Sequence, residues 1–417
     1  MVHRRLTLAA KVLALSVALL LAVSCAGGAT APSTPTKSPE AAKAPEKEGA
    51  KSPQTEASKA ASSKEPIKIG MLVEQTGQFS WYGQENLNGA QLYVEELNAK
   101  GGINGRPIEL IIYNSESLPE KAVSGAQKLI QQDKVVAIVG LGLVSEATAV
   151  AAVVKEGPPT YSLSGAYTPG HRMMFGGTVL VDDMQRRSLQ VLADRKMKRI
   201  GDLTTNDTTG QLAQKVITEA APKYGAEITR LEVFNPADVD VTAQLNQIKA
   251  TNPDAIIGWA LGKPLGVVLK GAKQLGITVP IITSHGNLSP GFIESIAEVQ
   301  PGPLYMFGTK DLIWRDVPDS DPQKAVITAM QTKHQAKYGK EGGIGTGTGY
   351  DSLMILSEAI KKSGSTEPMK IVEAIEGIKN LVGVVGTYNF SQQDHRGLDS
   401  AAAIPMEITK GQLKAVK

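Results

Sequence analysis

A single cysteine, Cys25, stands among the 417 residues, so neither an internal disulfide nor a cysteine-based metal site is open to this chain. Aromatic residues are scarce at 5%, while glycine is frequent at 42 positions, a balance that suits α/β units with many tight strand-to-helix turns. Strong charge is missing as well. Of the formal net charge of +3, three charges come from Arg4, Arg5 and Lys11 and one more from residues 26–66, where six lysines face five glutamates, which leaves −1 for the remainder. No basic patch argues for nucleic acid. The chain has no Walker loop, no GxGxxG after its first strand, no HExxH and no GxSxG. His171, His285, His334 and His395 are scattered without metal-ligand spacing. Asp182-Asp183 reads as a solvated pair of carboxylates rather than an acid/base pair. With no nucleophile, base or metal set to be found, neither an enzyme nor a cofactor is expected.

What is present begins with a leader. Arg4, Arg5 and Lys11 precede the apolar run Val12 to Val23, which is too short for a comfortable membrane span, and small residues follow. Leu21-Ala22-Val23-Ser24-Cys25 resembles a bacterial lipobox, in which the cysteine is lipidated and becomes the new N-terminus, although Ala22 stands where Leu is typical. Residues 26–66 are Ala, Pro, Ser, Thr, Lys and Glu without periodicity and are expected to form a flexible tether. About 350 residues then remain, enough for two medium domains.

The stretch Ile69 to Glu116 reads as strand, polar loop, helix, turn and strand. Ile69 to Val73 and Ile108 to Tyr113 are apolar runs of strand length, and Leu87, Ala90, Val94 and Leu97 recur between them at helical spacing. Ser80 is placed to cap that helix and Gly101-Gly102 to end it. A crossover of this length implies a parallel, right-handed βαβ unit. The loop Gly77 to Gly83 then lies at the carboxyl end of the strand, where open α/β sheets bind ligands, and Trp81 and Tyr82 beside a helix N-terminus suit a small molecule with an apolar part.

Similar units follow. Val135 to Val139 leads into Gly140-Leu141-Gly142-Leu143-Val144-Ser145, with Ser145 placed to cap a helix, and Pro159 to Ser164 delivers Ala166 and Thr168 to the same edge. From Arg199 the pattern repeats with strands near Ile200, Ile228, Ala255 and Pro280, then gives way to helices around 323–337, 349–362 and 368–376 with short strands near 386–390 and 403–408. Gly345-Thr346-Gly347-Thr348-Gly349 has the look of a phosphate loop but follows no clear strand and lacks the Lys-Ser/Thr pair. The fold class expected is α/β, two doubly wound parallel-sheet lobes around a ligand cleft.

Thr76-Gly77, Tyr82-Gly83, Asn88-Gly89-Ala90 and above all Leu97-Asn98-Ala99-Lys100-Gly101-Gly102-Ile103-Asn104-Gly105 resemble the start of the mature leucine/isoleucine/valine-binding family of type 1 periplasmic binding proteins, and the similarity continues more loosely to the C-terminus. The resemblance implies a lobe one of 67–186 plus 317–398 and a lobe two of 187–316 plus 399–417. It also implies that Val144, Ser145, Ala166 and Thr168 hold a ligand carboxylate. In lobe two the chain departs from the family: Thr209 stands where an aromatic is common, His285 where an acid pairs with the ligand's ammonium, and Trp259, Leu261 and Lys263 replace a Tyr-rich segment. Asp207, Asp351 and Glu74 are the acids left to serve an ammonium if the alignment is shifted. The implied function is a lipid-anchored, monomeric solute-binding subunit of an ABC importer at the extracytoplasmic face of a bacterial membrane, partnered by a membrane permease. The solute is expected to be of amino acid type or a related carboxylate, amide or aromatic acid. A ligand-sensing ectodomain of the same fold is the alternative; the importer is preferred because no second membrane segment or signalling domain is read up to Lys417.

Overall fold

The computed structural model describes residues 65–165 and 170–416; Cys25 and most of the expected tether lie outside the described residues. The apolar run after Pro66 forms β1 (Ile67–Val73), and the amphipathic stretch after the Gly77 loop forms α1 (Ser80–Ala99). With β2 (Ile108–Asn114) they make the expected parallel unit, paired in register from Ile67 opposite Ile108 to Val73 opposite Asn114. Leu87, Ala90 and Val94 are buried beneath α1. Ser80 is the first residue of the helix rather than its cap, and no side chain caps that end. At the other end Gly101 and Gly102, at φ +94 and +71, turn the chain out of the helix as expected.

The next units are α2 (Pro119–Lys128), β3 (Ala137–Gly140), α3 (Val144–Ala151), β4 (Thr160–Ser162) and β5 (Met174–Gly176). The five strands are parallel in the order β2-β1-β3-β4-β5. Strand order therefore reverses between β1 and β3, and the crevice beyond their carboxyl ends is the switch point at which such sheets bind ligands. β3 and β4 are buried along their whole length, which is why they read as continuous apolar or small runs and not as alternating ones.

The chain then leaves the first sheet. α4 (Val181–Asp194) packs against α5 (Thr208–Ala220), which follows β6 (Arg199–Thr205). Next come β7 (Glu227–Phe234), α6 (Thr242–Lys249), β8 (Ala255–Trp259), α7 (Lys263–Gln274), β9 (Ile281–Ile282), α8 (Pro290–Ile296) and β10 (Leu304–Gly308). Their parallel strands run β10-β9-β8-β6-β7, the same order of succession as in the first sheet, with the same reversal between β6 and β8.

The chain then returns to the first sheet: α9 (Lys324–Tyr338) and α10 (Ile344–Ser363) pack on α1, and α11 (Pro368–Glu376) packs on α10. A hairpin of β11 (Leu381–Val382) and β12 (Thr387–Tyr388) follows. Finally β13 (Ile404–Thr409) and β14 (Gln412–Ala415) add an antiparallel edge to the second sheet beside β10. Gly345 to Gly349 lie inside α10, so this segment is no phosphate loop. Their lack of side chains lets two helix backbones touch: a Cβ on Gly349 would stand 2.0 Å from the Asn86 carbonyl oxygen, and one on Gly89 2.0 Å from that of Thr346. The Thr348 hydroxyl donates to Asn86 Oδ1 at 2.8 Å across the same seam.

Candidate functional site

The loops leaving β1 and β3 of the first sheet meet those leaving β6, β8 and β9 of the second, and one cavity lies between them. From the first side come Phe79, Trp81, Tyr82, Gly142, Leu143, Val144 and Gly165; from the second come Val181, Met184, Thr209, Leu261, Ser284, His285 and Gly286. The space between them, counting its mouth open to solvent, is about 460 Å3.

Each wall is braced. The Tyr82 hydroxyl donates to the Leu163 carbonyl at 3.1 Å, which ties α1 to the end of β4. Opposite, the Gly262 N–H donates to Asn287 Oδ1 at 2.7 Å, and the Asn287 amide donates to the Ala260 carbonyl at 2.8 Å. Trp81 spans the gap: its ring is stacked on Phe292 at 6.3 Å and 21°, and its Nε1 lies 3.2 Å from where a Cβ on Gly262 would be. His285 is 5% exposed, with Nε2 3.2 Å from the Thr178 hydroxyl and Nδ1 without a partner among the described residues. Burial lowers its pKa to about 4, so the imidazole is neutral at pH 7. None of the described lining residues carries a formal charge.

The structure thus brings Trp81, Tyr82, Val144, Thr209 and His285 to one cavity. Trp259 does not reach it. This last residue of β8 is 0% exposed and packs with Ala255 and Ile257 in the core, because strand alternation turns all three to the same face of the sheet. Lys263, the first residue of α7, is exposed and away from the wall. Ser145 is the second residue of α3, half-buried, and neither caps that helix nor lines the cavity. Ala166 and Thr168 lie outside the described residues.

The three acids held in reserve are differently occupied. Asp207 caps α5, accepting the Gly210 N–H at 2.9 Å. Asp351 accepts the Val384 and Val385 N–H groups, each at 2.8 Å, and the Tyr388 hydroxyl at 2.9 Å, so it clamps the turn of the β11–β12 hairpin. Glu74 is fully buried behind Gly142. Sequence reasoning missed Leu143, Val181 and Met184 as wall residues. Their only signal is apolar character near a helix start, which core residues share.

Two doubly wound sheets of matching strand order, facing each other across a cavity walled by both, define a two-lobed solute receptor of the type 1 periplasmic binding fold. The chain belongs to the periplasmic binding protein family, whose model matches residues 66–412. It is 25% identical over 319 residues to the leucine-, isoleucine-, valine-, threonine- and alanine-binding protein of Pseudomonas aeruginosa, covering 75% of this chain and 82% of that one. To the Leu/Ile/Val-binding protein of Escherichia coli K12 it is 22% identical over 319 residues, covering 75% and 83%. Among solved structures, a branched-chain amino acid transporter substrate binding protein from Streptococcus pneumoniae, in complex with isoleucine, matches with a TM-score of 0.73 and 27% identity over 84% of this chain and 99% of that one. An extracellular ligand-binding receptor from Rhodopseudomonas palustris shares the fold with a TM-score of 0.78 at 24% identity, over 84% and 99%. Among the described residues no helix is long and apolar enough to cross a membrane.

Proposed function

We propose that this chain is the solute receptor of an ATP-driven importer, closing two lobes on a small, largely apolar organic molecule that has no free α-amino group and presenting the closed form to a membrane permease. The observation that carries the ligand class is the uncharged wall, among the described residues, around a neutral His285 whose Nδ1 has no partner among them. An ammonium held there with no carboxylate in the wall to contact is costly, whereas the carbonyl, amide or acid group of a ligand has a hydrogen-bond partner in the imidazole. Trp81, Tyr82, Val144 and Thr209 are the further contacts on this reading, with the backbone at the start of α3 facing the polar end of the solute. Two relatives are named for amino acids, and His285 and the spent acids Asp207 and Asp351 are the reasons to part from them. Calorimetry against leucine, valine, their deaminated 2-oxo acids and simple aromatic acids tests the proposal. Binding of an acid lacking the amino group is expected, and tight binding of the amino acids alone overturns it.

The moving lobes on this reading are 67–186 plus 317–398 and 187–316 plus 399–417, with the first boundary better placed ahead of α4, since α4 packs on α5. Closure works because the solute touches both lobes at once and so binds the closed state more tightly. No step of chemistry is assigned to the site; the chain acts by binding. The leader and Cys25 support a lipid anchor on the outer face of the cytoplasmic membrane or in the periplasm. Mass analysis of membrane-derived protein is expected to show a lipidated Cys25 at the N-terminus, and Cys25→Ala to release the protein into the soluble fraction. Unchanged membrane retention of Cys25→Ala removes the anchor from the reading.

A further inference from the structure

Four buried polar atoms just behind the cavity wall have no partner in the hydrogen-bond pattern of the described residues: Glu74 Oε2, both carboxyl oxygens of Glu146 and the Ser115 hydroxyl. All three side chains are 0% exposed. Glu74 follows β1, Ser115 follows β2 and Glu146 is the third residue of α3, so the switch point of the first sheet gathers them at one edge. The remaining oxygen of Glu74 accepts the Gly142 N–H at 2.9 Å, and a Cβ on Gly142 would lie 3.0 Å from both Glu74 oxygens and from the Tyr82 ring. The Glu74 carboxyl therefore sits directly behind a residue that walls the cavity.

Glu74 and Glu146 lie within hydrogen-bond reach of each other, and no cation among the described residues acts on either. Of the titratable groups on neighbouring elements, the Tyr82 hydroxyl is spent on Leu163, Glu85 turns to the Gly345 N–H, Lys121 pairs with Glu116 at the surface, and Lys128 lies over the Tyr113 ring. Two touching carboxylates in such a place repel. One proton removes the repulsion: the Glu146 acid O–H donates to Glu74 Oε2, which gives both carboxyls a partner.

We propose that Glu74 and Glu146 form a one-proton acid pair that positions the cleft turn Leu141–Leu143. The positioning role rests on the reading of this cavity as the solute site, whereas the shared proton is independent of it. Burial first, and then the charge of Glu74, push Glu146 up to about 10, which agrees with a proton held at neutral pH.

The test is urea unfolding of the purified protein from pH 5 to 9, with no solute needed. The folded state keeps a proton that the unfolded chain has lost, so stability from this group falls as pH rises, and the unfolding constant of the wild type climbs about tenfold per pH unit on its account. Glu146→Gln, whose amide donates to Glu74 as the acid does, has no such proton and should lose that tenfold-per-unit component. Glu74→Gln should lose it too, because its amide serves an ionised Glu146. Equal slopes in wild type and both variants overturn the proposal. For the positioning role, hydrogen exchange at the Gly142 amide is expected to speed up at least tenfold in Glu74→Leu, which has no acceptor, but not in Glu74→Gln; equal protection in all three overturns that part. Failure of these slopes refutes the pair, while failure of the calorimetric panel refutes the solute reading.

Discussion

Gly349→Ala is expected to destabilise the protein by about 3 kcal/mol or more, an unusually large effect for adding one methyl group. The added carbon would stand 2.0 Å from the Asn86 carbonyl oxygen, and the obstacle is helix backbone rather than a side chain that can rotate away. Relief requires α10 to move off α1, which would also break the contact of Thr348 with Asn86 and loosen the start of α10 near Ile344, whose N–H donates to the Leu288 carbonyl at 3.1 Å. Gly266→Ala, in α7, supplies the control. Nothing lies within 4 Å of a Cβ there, and the same substitution is expected to stabilise by roughly 0.5–1 kcal/mol through helix propensity. Urea unfolding of both variants gives the comparison; equal effects of the two substitutions would remove the helix-contact account of the GTGTG segment.

Trp81→Ala is expected to lower affinity for the solute about thirtyfold, or about 2 kcal/mol, while leaving the fold intact. Trp81 is rooted in α1 yet its ring lies on Phe292 of α8 and against Gly262, so it contributes both to the solute wall and to the contact between the two sides. Its removal weakens the closed arrangement whether or not solute is present. Small-angle scattering of the solute-free variant should show a more open particle, and calorimetry with the solute found in the panel should show the loss. An affinity within threefold of wild type would mean that Trp81 is only loop packing.

The opening βαβ unit was readable because a parallel strand buried on both faces is a short apolar run, and α1 shows its buried stripe at helical spacing. Both signals are local. The position of the cleft followed from the same reading, since loops after parallel strands share one edge, and it was enough to bring Trp81, Tyr82, Val144, Thr209 and His285 to one cavity. Trp259 failed for an equally local reason: it ends its strand, and one residue of phase decides whether an end residue points to the core or to the cleft. Ser145 failed as a cap because α3 begins one residue before it.

The sequence by itself determined the alternation of strands and helices and the turns that end them, because each depends on residues adjacent in the chain. Tertiary structure alone decided three other matters. The glycines of α10 became a helix contact once α1, some 260 residues earlier in sequence, lay against them. Asp351 became a clamp for a hairpin, which removed it from the ligand question. Glu74 and Glu146 became a buried pair only because strand order reverses between β1 and β3. The environment that sets an acid's charge or a glycine's purpose is made of residues distant in sequence, and no local pattern encodes it.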